Sequence, residues 1–562
     1  MHHLSRSFLL AAAFSVTAFA QQYTGPSASQ SPIVTVTAPN WTLTSLLSTG
    51  DSVPGFTAGT SYVMGGIPDG LGAYDNGDGT FTMLSNHELY DTWGVTRPSG
   101  SKGAYVSKYI IDKATLRVVS AGDFLTSNAN LYLWNQASST WTSGTSYAMW
   151  RLCSADLAPL SAFYNSTTGK GYNGRIFLDG EEGAASSVAN NPLGSRGFAW
   201  IATGAEAGRV YELPHLGRFA IENLLANPFL PTSTDKTIIA GNSDTSPQGQ
   251  VYIYIGTKQS TGNAIDKAGL TNGTLYGVKV TSSTGYTGAV ANELATGING
   301  SFVLVSKTDG TNTGATPIWT TATTASGLVA NAGSAGITGF ARPEDGAWLN
   351  ATTYLFNTTG STPSGGTSQT PAKVYKLSFS NAADYTVGGS VSVLVDSARL
   401  KGTDGATAWM FDNMAVGRDG LVYINEDPGL NQYVAKTWVV DPNAADPSAS
   451  ALQIMEVDRS RFLGTVNATI TSGTSGMNTV VLSSVAGLSV GLVVGGKGIP
   501  DNTRIVAINT VTNTVTLSAN LTAASSGFFS AGPDFRTWDE EFTGIVDVSD
   551  IWNDGTKYFL VA

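Results

Sequence analysis

The feature that most constrains this chain is a strand that keeps returning. A glycine or another small residue precedes a short alternating run containing tyrosine: "GAYVSKYI" from Gly103, "GRVYEL" from Gly208, "GQVYIYIG" from Gly249, "GTLYGVKV" from Gly273, "AKVYKLSF" from Ala372 and "GLVYINED" from Gly420. Period-two alternation is the signature of a half-buried strand. Strands of one type recurring at intervals of tens of residues predict the blades of a β-propeller, with a large sandwich as the alternative. The intervals are uneven, so insertions must separate some strands. Dense turn signals, Asn76-Gly77-Asp78-Gly79, Asp309-Gly310, Asp419-Gly420 and Asp554-Gly555, fit the same all-β reading.

Two segments fall outside this rhythm. Residues 1–20 read as an export signal: Arg6, an apolar run over 8–20 broken by Ser15 and Thr17, and Ala18-Phe19-Ala20 before Gln21. The expected product is exported, periplasmic or extracellular, with no later run long enough to span a membrane. Residues 464–532 are nearly free of charge and carry their own short-strand pattern. They resemble a small all-β module of bacterial surface and phage proteins built around "GKGIPDNTRI" and "VTLS". The expected organisation is therefore a signal at 1–20, a β domain over 21–463, an inserted all-β domain over 464–532 and a closing piece of the first domain over 533–562.

A net charge of −11 argues against a nucleic-acid partner, and clustered acids can instead hold hard cations. Acidic and amide groups stand where strands end or turns begin: Asn86-His87-Glu88, Glu181-Glu182, Glu222-Asn223, Asp244, Glu344, Asp412-Asn413, Glu426-Asp427 and Asp539-Glu540-Glu541. Propeller strands converge on one axis, so acids from different blades can share a pocket. There they repel and raise one another's pKa until cations relieve them. His87 and His215 are the only histidines beyond the signal, too few for a histidine-rich zinc site, and no G-x-S-x-G supports serine catalysis. Cys153 is the single cysteine, so an exported chain cannot use it for an internal disulfide. It is either a small buried apolar side chain or a ligand.

In order, "NHE", the lone Cys followed by "RIFLDGEE", "LGRFAIEN", "ARPEDGAW", "FDNMAVGRDGLVYINED" and "DEEFTGIVD" resemble the PhoX-type alkaline phosphatases. The resemblance covers most of 72–548 outside the insert. It implies a six-bladed β-propeller with extra segments, Fe3+ and Ca2+ as cofactors, and hydrolysis of a small-molecule phosphate monoester; the chain is expected to be a monomer. It further implies Cys153, Glu222 and Glu344 as iron ligands and Arg342 as the cation on the transferred phosphoryl group. Glu181 or Glu182, Asp244 and Asp412-Asn413 fall at calcium positions, while Asn86, His87, Glu88, Asp427 and Glu541 are further site candidates without an assigned role. This chain has Ile221-Glu222 where the family often has "HE", Ser243-Asp244 for "DD" and "LDGEE" for "TCEE". Two other functions stay open on the residues alone: a calcium-stabilised binding or surface-matrix module, and a calcium-only hydrolase of phytase-like or lactonase-like type.

Overall fold

The computed structural model describes residues 21–183, 193–284, 291–293, 297–360, 370–403, 407–428, 434–458, 466–500, 503–532 and 541–562. The expected signal, and Asp539-Glu540, lie outside them. The chain is all-β, with short helices of which Ala325–Ala335 is the longest among the described residues. No described helix is long and apolar enough to cross a membrane.

Five sheets stand in a ring, antiparallel except for the parallel pairing of Leu131–Asn135 with Val210–Glu212 in the second. Their innermost strands are Pro68–Asp75, Ile176–Gly180, Ile221–Ala226, Pro343–Asn350 and Phe411–Val416. The third and fourth sheets join through the pairing of Gly300–Val305 with Gly389–Asp396. The fifth takes its outer strand, Val34–Val36, from near the start of the described chain. The sixth sector is a hairpin, Ile545–Asp547 with Phe559–Val561, wedged between the first and fifth sheets. There Thr543 Oγ1 donates to the Pro68 carbonyl at 3.0 Å and its own carbonyl accepts from Asn425 at 2.6 Å.

Burial on both faces of each sheet explains the apolar density of the strands. Along Lys236–Ser243, Ile239 packs toward the second sheet while Ile238 and Ala240 pack toward the fourth. Along Gly249–Thr257, Tyr252 and Tyr254 face one neighbour, Val251 and Ile253 the other. Equivalent cores fill the first–second and fourth–fifth gaps, and the closing hairpin supplies Ile545 to one side and Val548, Ile551 and Leu560 to the other. Of the six tyrosine runs, four form the third strand of the first four sheets and one the second strand of the fifth, while the run from Gly273 is the fourth strand of the third sheet. "NGDG" makes the hairpin between Pro68–Asp75 and Thr80–His87, with Gly77 and Gly79 at φ 77° and 93°, where a Cβ would be strained.

Strands within 466–532 pair only with one another, in a six-stranded sheet with its own core around Ile470, Val480, Val515 and Phe529. Val466 pairs with Ala531, so this sheet begins and ends side by side. We propose that it is an independent insertion. Deleting 464–532 and bridging the ends with a short Gly/Ser linker is expected to leave a folded, soluble chain; an insoluble product would show that the sheet is part of the core. Val493 shares a core cluster with Ile454 and Met455 of the fifth sheet, and the deletion would remove its cover from that cluster.

Candidate metal centre

At one end of the ring the inner strands begin in a common way. A residue with positive φ, a strand-opening residue, and then a side chain aimed into the axis recur as Ile67-Pro68-Asp69, Arg342-Pro343-Glu344 and Met410-Phe411-Asp412, with φ of 49°, 59° and 44° at the first position. The second sector repeats it in Arg151-Leu152-Cys153, with φ 33° at Arg151 and Leu152 bridged to Glu181. Ala220-Ile221-Glu222 supplies the same third position without the positive φ. Left-handed backbone at a non-glycine residue costs of order 1–3 kcal/mol, and strain of this kind gathers at working sites. The ladder also slips at these strand starts, between Pro68 and Leu71, Ile221 and Asn223, Pro343 and Gly346, and Phe411 and Met414. Such bulges re-aim a side chain, and each of the four spans the acid that turns inward.

The result is a cavity with about 50 Å³ of free space, lined by nine carboxylates, one thiol, Thr359 and only two cations. Asp69, Glu88 and Cys153 form one group of donors within 4.8 Å of one another, and Cys153, Glu182 and Glu222 the next. Glu222, Glu344 and Asp412 form a third, and Asp412, Asp427 and Glu541 a fourth, by the same 4.8 Å measure. Cys153, Glu222 and Asp412 are each shared by two groups, so the four make a continuous row. Arg151 pairs with Glu182 at 2.8 Å and with Glu88. Arg342 donates from Nε and Nη2 to Asp244 at 2.8 and 2.5 Å, and its Nη2 lies 3.3 Å from Glu344.

Burial and crowding set the protonation. Removal from water lifts Glu222 to about 7, and the charge on Asp244 adds to it. Asp69, Glu182, Glu344 and Asp412 are pushed well above the usual carboxylate range, first by burial and then by their acidic neighbours. Burial raises the Cys153 thiol, with Asp69 next in importance, and that thiol donates to Asp69 Oδ2 at 3.0 Å. Bound cations reverse this by stabilising the charged ligand forms. Among the described residues, Glu222 Oε2 and Asp412 Oδ1 are shielded from water and have no hydrogen-bond donor. Buried acceptors of that kind are normally satisfied, so the donor set fits metal ions. The end around Cys153 offers sulfur with oxygen, suited to a transition metal; Asp412, Asp427 and Glu541 offer oxygen alone, suited to calcium.

A second layer locks these ligands. Ser154 Oγ donates to Glu222 Oε1 at 2.6 Å and accepts from Asn413 Nδ2 at 2.6 Å. Asp345 accepts from Asn223 at 2.6 Å and from the Met414 amide at 3.0 Å, tying three sectors together. Asn413 therefore lies beneath the row rather than in it. Asn86 likewise donates to the Cys153 carbonyl.

Of the residues singled out in the sequence, Cys153, Glu88, Glu182, Glu222, Asp244, Arg342, Glu344, Asp412, Asp427 and Glu541 line the cavity. Glu181 does not. Adjacent residues of extended chain face opposite ways, and its carboxylate accepts from Tyr147 at 2.8 Å and from the Trp150 and Arg196 amides at 3.0 Å. His87 is buried behind the site, bonded to the Gly66 carbonyl at 2.9 Å and Ser107 Oγ at 2.8 Å and stacked on Tyr105. Burial lowers it to about 4, so it stays neutral. Asp244 orients Arg342 and belongs to none of the four donor groups. Sequence reasoning missed Asp69, Arg151 and Thr359. The signal for the first two was the triplet repeat itself, since "IPD", "RLC", "RPE" and "MFD" share one spacing of turn residue, strand opener and ligand.

Fold and site together define a β-propeller with an acidic, thiol-bearing centre at one end of its axis. No family model matches the chain, and no curated protein does. Among solved structures it is similar to Pseudomonas fluorescens PhoX in complex with vanadate, a transition state analogue, over 83% of this chain and 89% of that one, at 12% identity and a TM-score of 0.49. It is also similar to the Cps50 (Swd1) β-propeller domain of Myceliophteria thermophila, over 78% and 92% of the two chains, at 9% identity and a TM-score of 0.21. Likenesses this distant leave the chemistry to be read from the residues.

Proposed function

We propose that the protein is an exported, metal-dependent hydrolase of phosphate monoesters, with iron at the Cys153 end of the row and calcium at the other. The observation that carries this reading is the row of four donor groups sharing Cys153, Glu222 and Asp412, flanked by two arginines. The motif resemblance to PhoX-type phosphatases supports the choice of phosphate ester. In the reaction, water oxygen bonds to phosphorus, the ester P–O bond breaks, and the leaving alcohol oxygen takes up a proton. Bound cations supply the Lewis acidity that neutralises charge on the phosphoryl oxygens. Arg342, its fork held by Asp244 and its side chain 28% exposed, presents a preset planar donor to those oxygens at the mouth. Arg151 does the same from the second sector, steadied by Glu88 and Glu182. Thr359, whose hydroxyl donates to Glu344, holds that carboxylate in place. Positioning and charge neutralisation are what phosphoryl transfer asks of a protein.

The test is Cys153→Ser. A hydroxyl is a harder and far less readily deprotonated ligand than a thiol, so iron content and p-nitrophenyl phosphate turnover are expected to fall together, about tenfold or more, with calcium partly retained. Full iron and full turnover in the serine variant would remove the thiol from the centre. Calcium without iron in the wild type would favour the calcium-only hydrolase.

A further inference from the structure

The rim beside Arg151 is aromatic. From Glu88 the chain passes through Leu89, whose carbonyl accepts the Arg151 N–H at 2.9 Å, and then turns over residues 90–93. The Trp93 N–H closes that turn on the Tyr90 carbonyl at 2.9 Å, and the Trp93 carbonyl accepts from Gly103 at 3.1 Å. The backbone is thus fixed on both sides while Trp93 as a residue is 47% exposed. Tyr90 stands edge-on between two tryptophans, with ring centroids 4.6 Å from Trp93 and 4.8 Å from Trp150. The Arg151 guanidinium lies 5.9 Å from the Tyr90 ring centroid, and the same side chain reaches Glu88 and Glu182 in the cavity.

One arginine therefore joins an anion-receiving cavity to an aromatic shelf. That arrangement suits a ligand with two parts, a phosphoryl group on the guanidinium side and a flat ring on the shelf. An exposed, rigidly mounted tryptophan loses little conformational freedom when a ring stacks on it. An aliphatic leaving group gains much less there, because it has no face to stack. We propose that Tyr90, Trp93 and Trp150 form a leaving-group subsite that favours monoesters of ring-bearing alcohols, nucleosides among them, over aliphatic ones. The proposal rests on the phosphatase reading for its substrate and on the rim alone for its preference.

The experiment compares kcat/KM for adenosine 5′-monophosphate and glycerol 3-phosphate, whose leaving alcohols are similarly reactive, in the metal-loaded protein as purified. Wild type is expected to prefer the nucleotide. Trp93→Ala is expected to lower the nucleotide-to-glycerol ratio about tenfold and Trp93→Phe to keep it within about threefold, as stacking on an aromatic face predicts. A wild-type ratio near one, or a ratio unmoved in Trp93→Ala, overturns the subsite. If wild type turns over neither ester, the phosphatase reading fails, and the subsite is judged by calorimetric titration with phenylphosphonate and methylphosphonate. Tighter binding of the phenyl compound that disappears in Trp93→Ala upholds it; equal affinities overturn it.

Discussion

Replacing Glu222 with glutamine is expected to cut hydrolysis by at least about a hundredfold while making the metal-free protein more stable near pH 8. The two effects have one cause. Glu222 is fully buried, shared by two donor groups, and left with Oε2 unpartnered, so without a cation it is an uncompensated buried charge. Glutamine keeps the shape and can still accept from Ser154 through Oε1, and it carries no charge to bury. It also withdraws a ligand from both groups at once. Losing mere outer partners of ligands already costs 10–100-fold, so losing this ligand is expected to cost at least the upper end. Turnover and the thermal midpoint of the chelated protein, measured on both forms, check this. A fall in both would mean that Glu222 is a packing element with no special tie to metal.

Stripping cations from the wild type is expected to lower thermal stability much more at pH 8 than at pH 5. Each cation held at a hundred times its dissociation constant adds about 2.7 kcal/mol, which chelation removes. The pH dependence follows from the raised carboxyls. Glu222, a donor shared by two groups of the row, moves from 4.5 to about 7, chiefly through burial. A carboxyl raised on folding binds its proton more tightly in the folded chain than in the unfolded one. The metal-free fold is therefore most stable below the unfolded value and loses stability as pH climbs from there to about 7, with no further change from Glu222 above it. Protons substitute for cations at pH 5 and cannot at pH 8. Melting curves with and without EDTA at both values test this; equal losses would argue that the acids are satisfied without metal.

The fold was legible because its signal is local and repeated. The tyrosine run marks a strand buried on both faces, whose apolar and aromatic density is set within the strand itself. The site was legible in part, for a reason visible in Glu181 and Glu182. Both stand beside the axis, and only the facing of an extended chain decides which enters the cavity; composition does not record that facing. Asp69 shows a different limit. In "GGIPDGLG" it reads as a turn aspartate, and its role comes from a bulge and a positive φ at Ile67, which exist only once the Pro68–Asp75 strand pairs with its neighbour. Asp244 falls at a calcium position by resemblance and instead becomes the partner of Arg342, a residue 98 positions away. Cys153 went furthest on the least, since a lone thiol becomes a site only when Glu182 of its own sector is joined by Asp69, Glu88 and Glu222 from the neighbouring ones.

The most direct measurement is elemental analysis of the purified full chain, expressed with iron and calcium supplied. Four donor groups in a continuous row predict more than one metal ion per chain, with iron and calcium both present and iron lost selectively in Cys153→Ser. A chain that carries no metal, and takes up none on titration with either ion, would contradict the account at its centre.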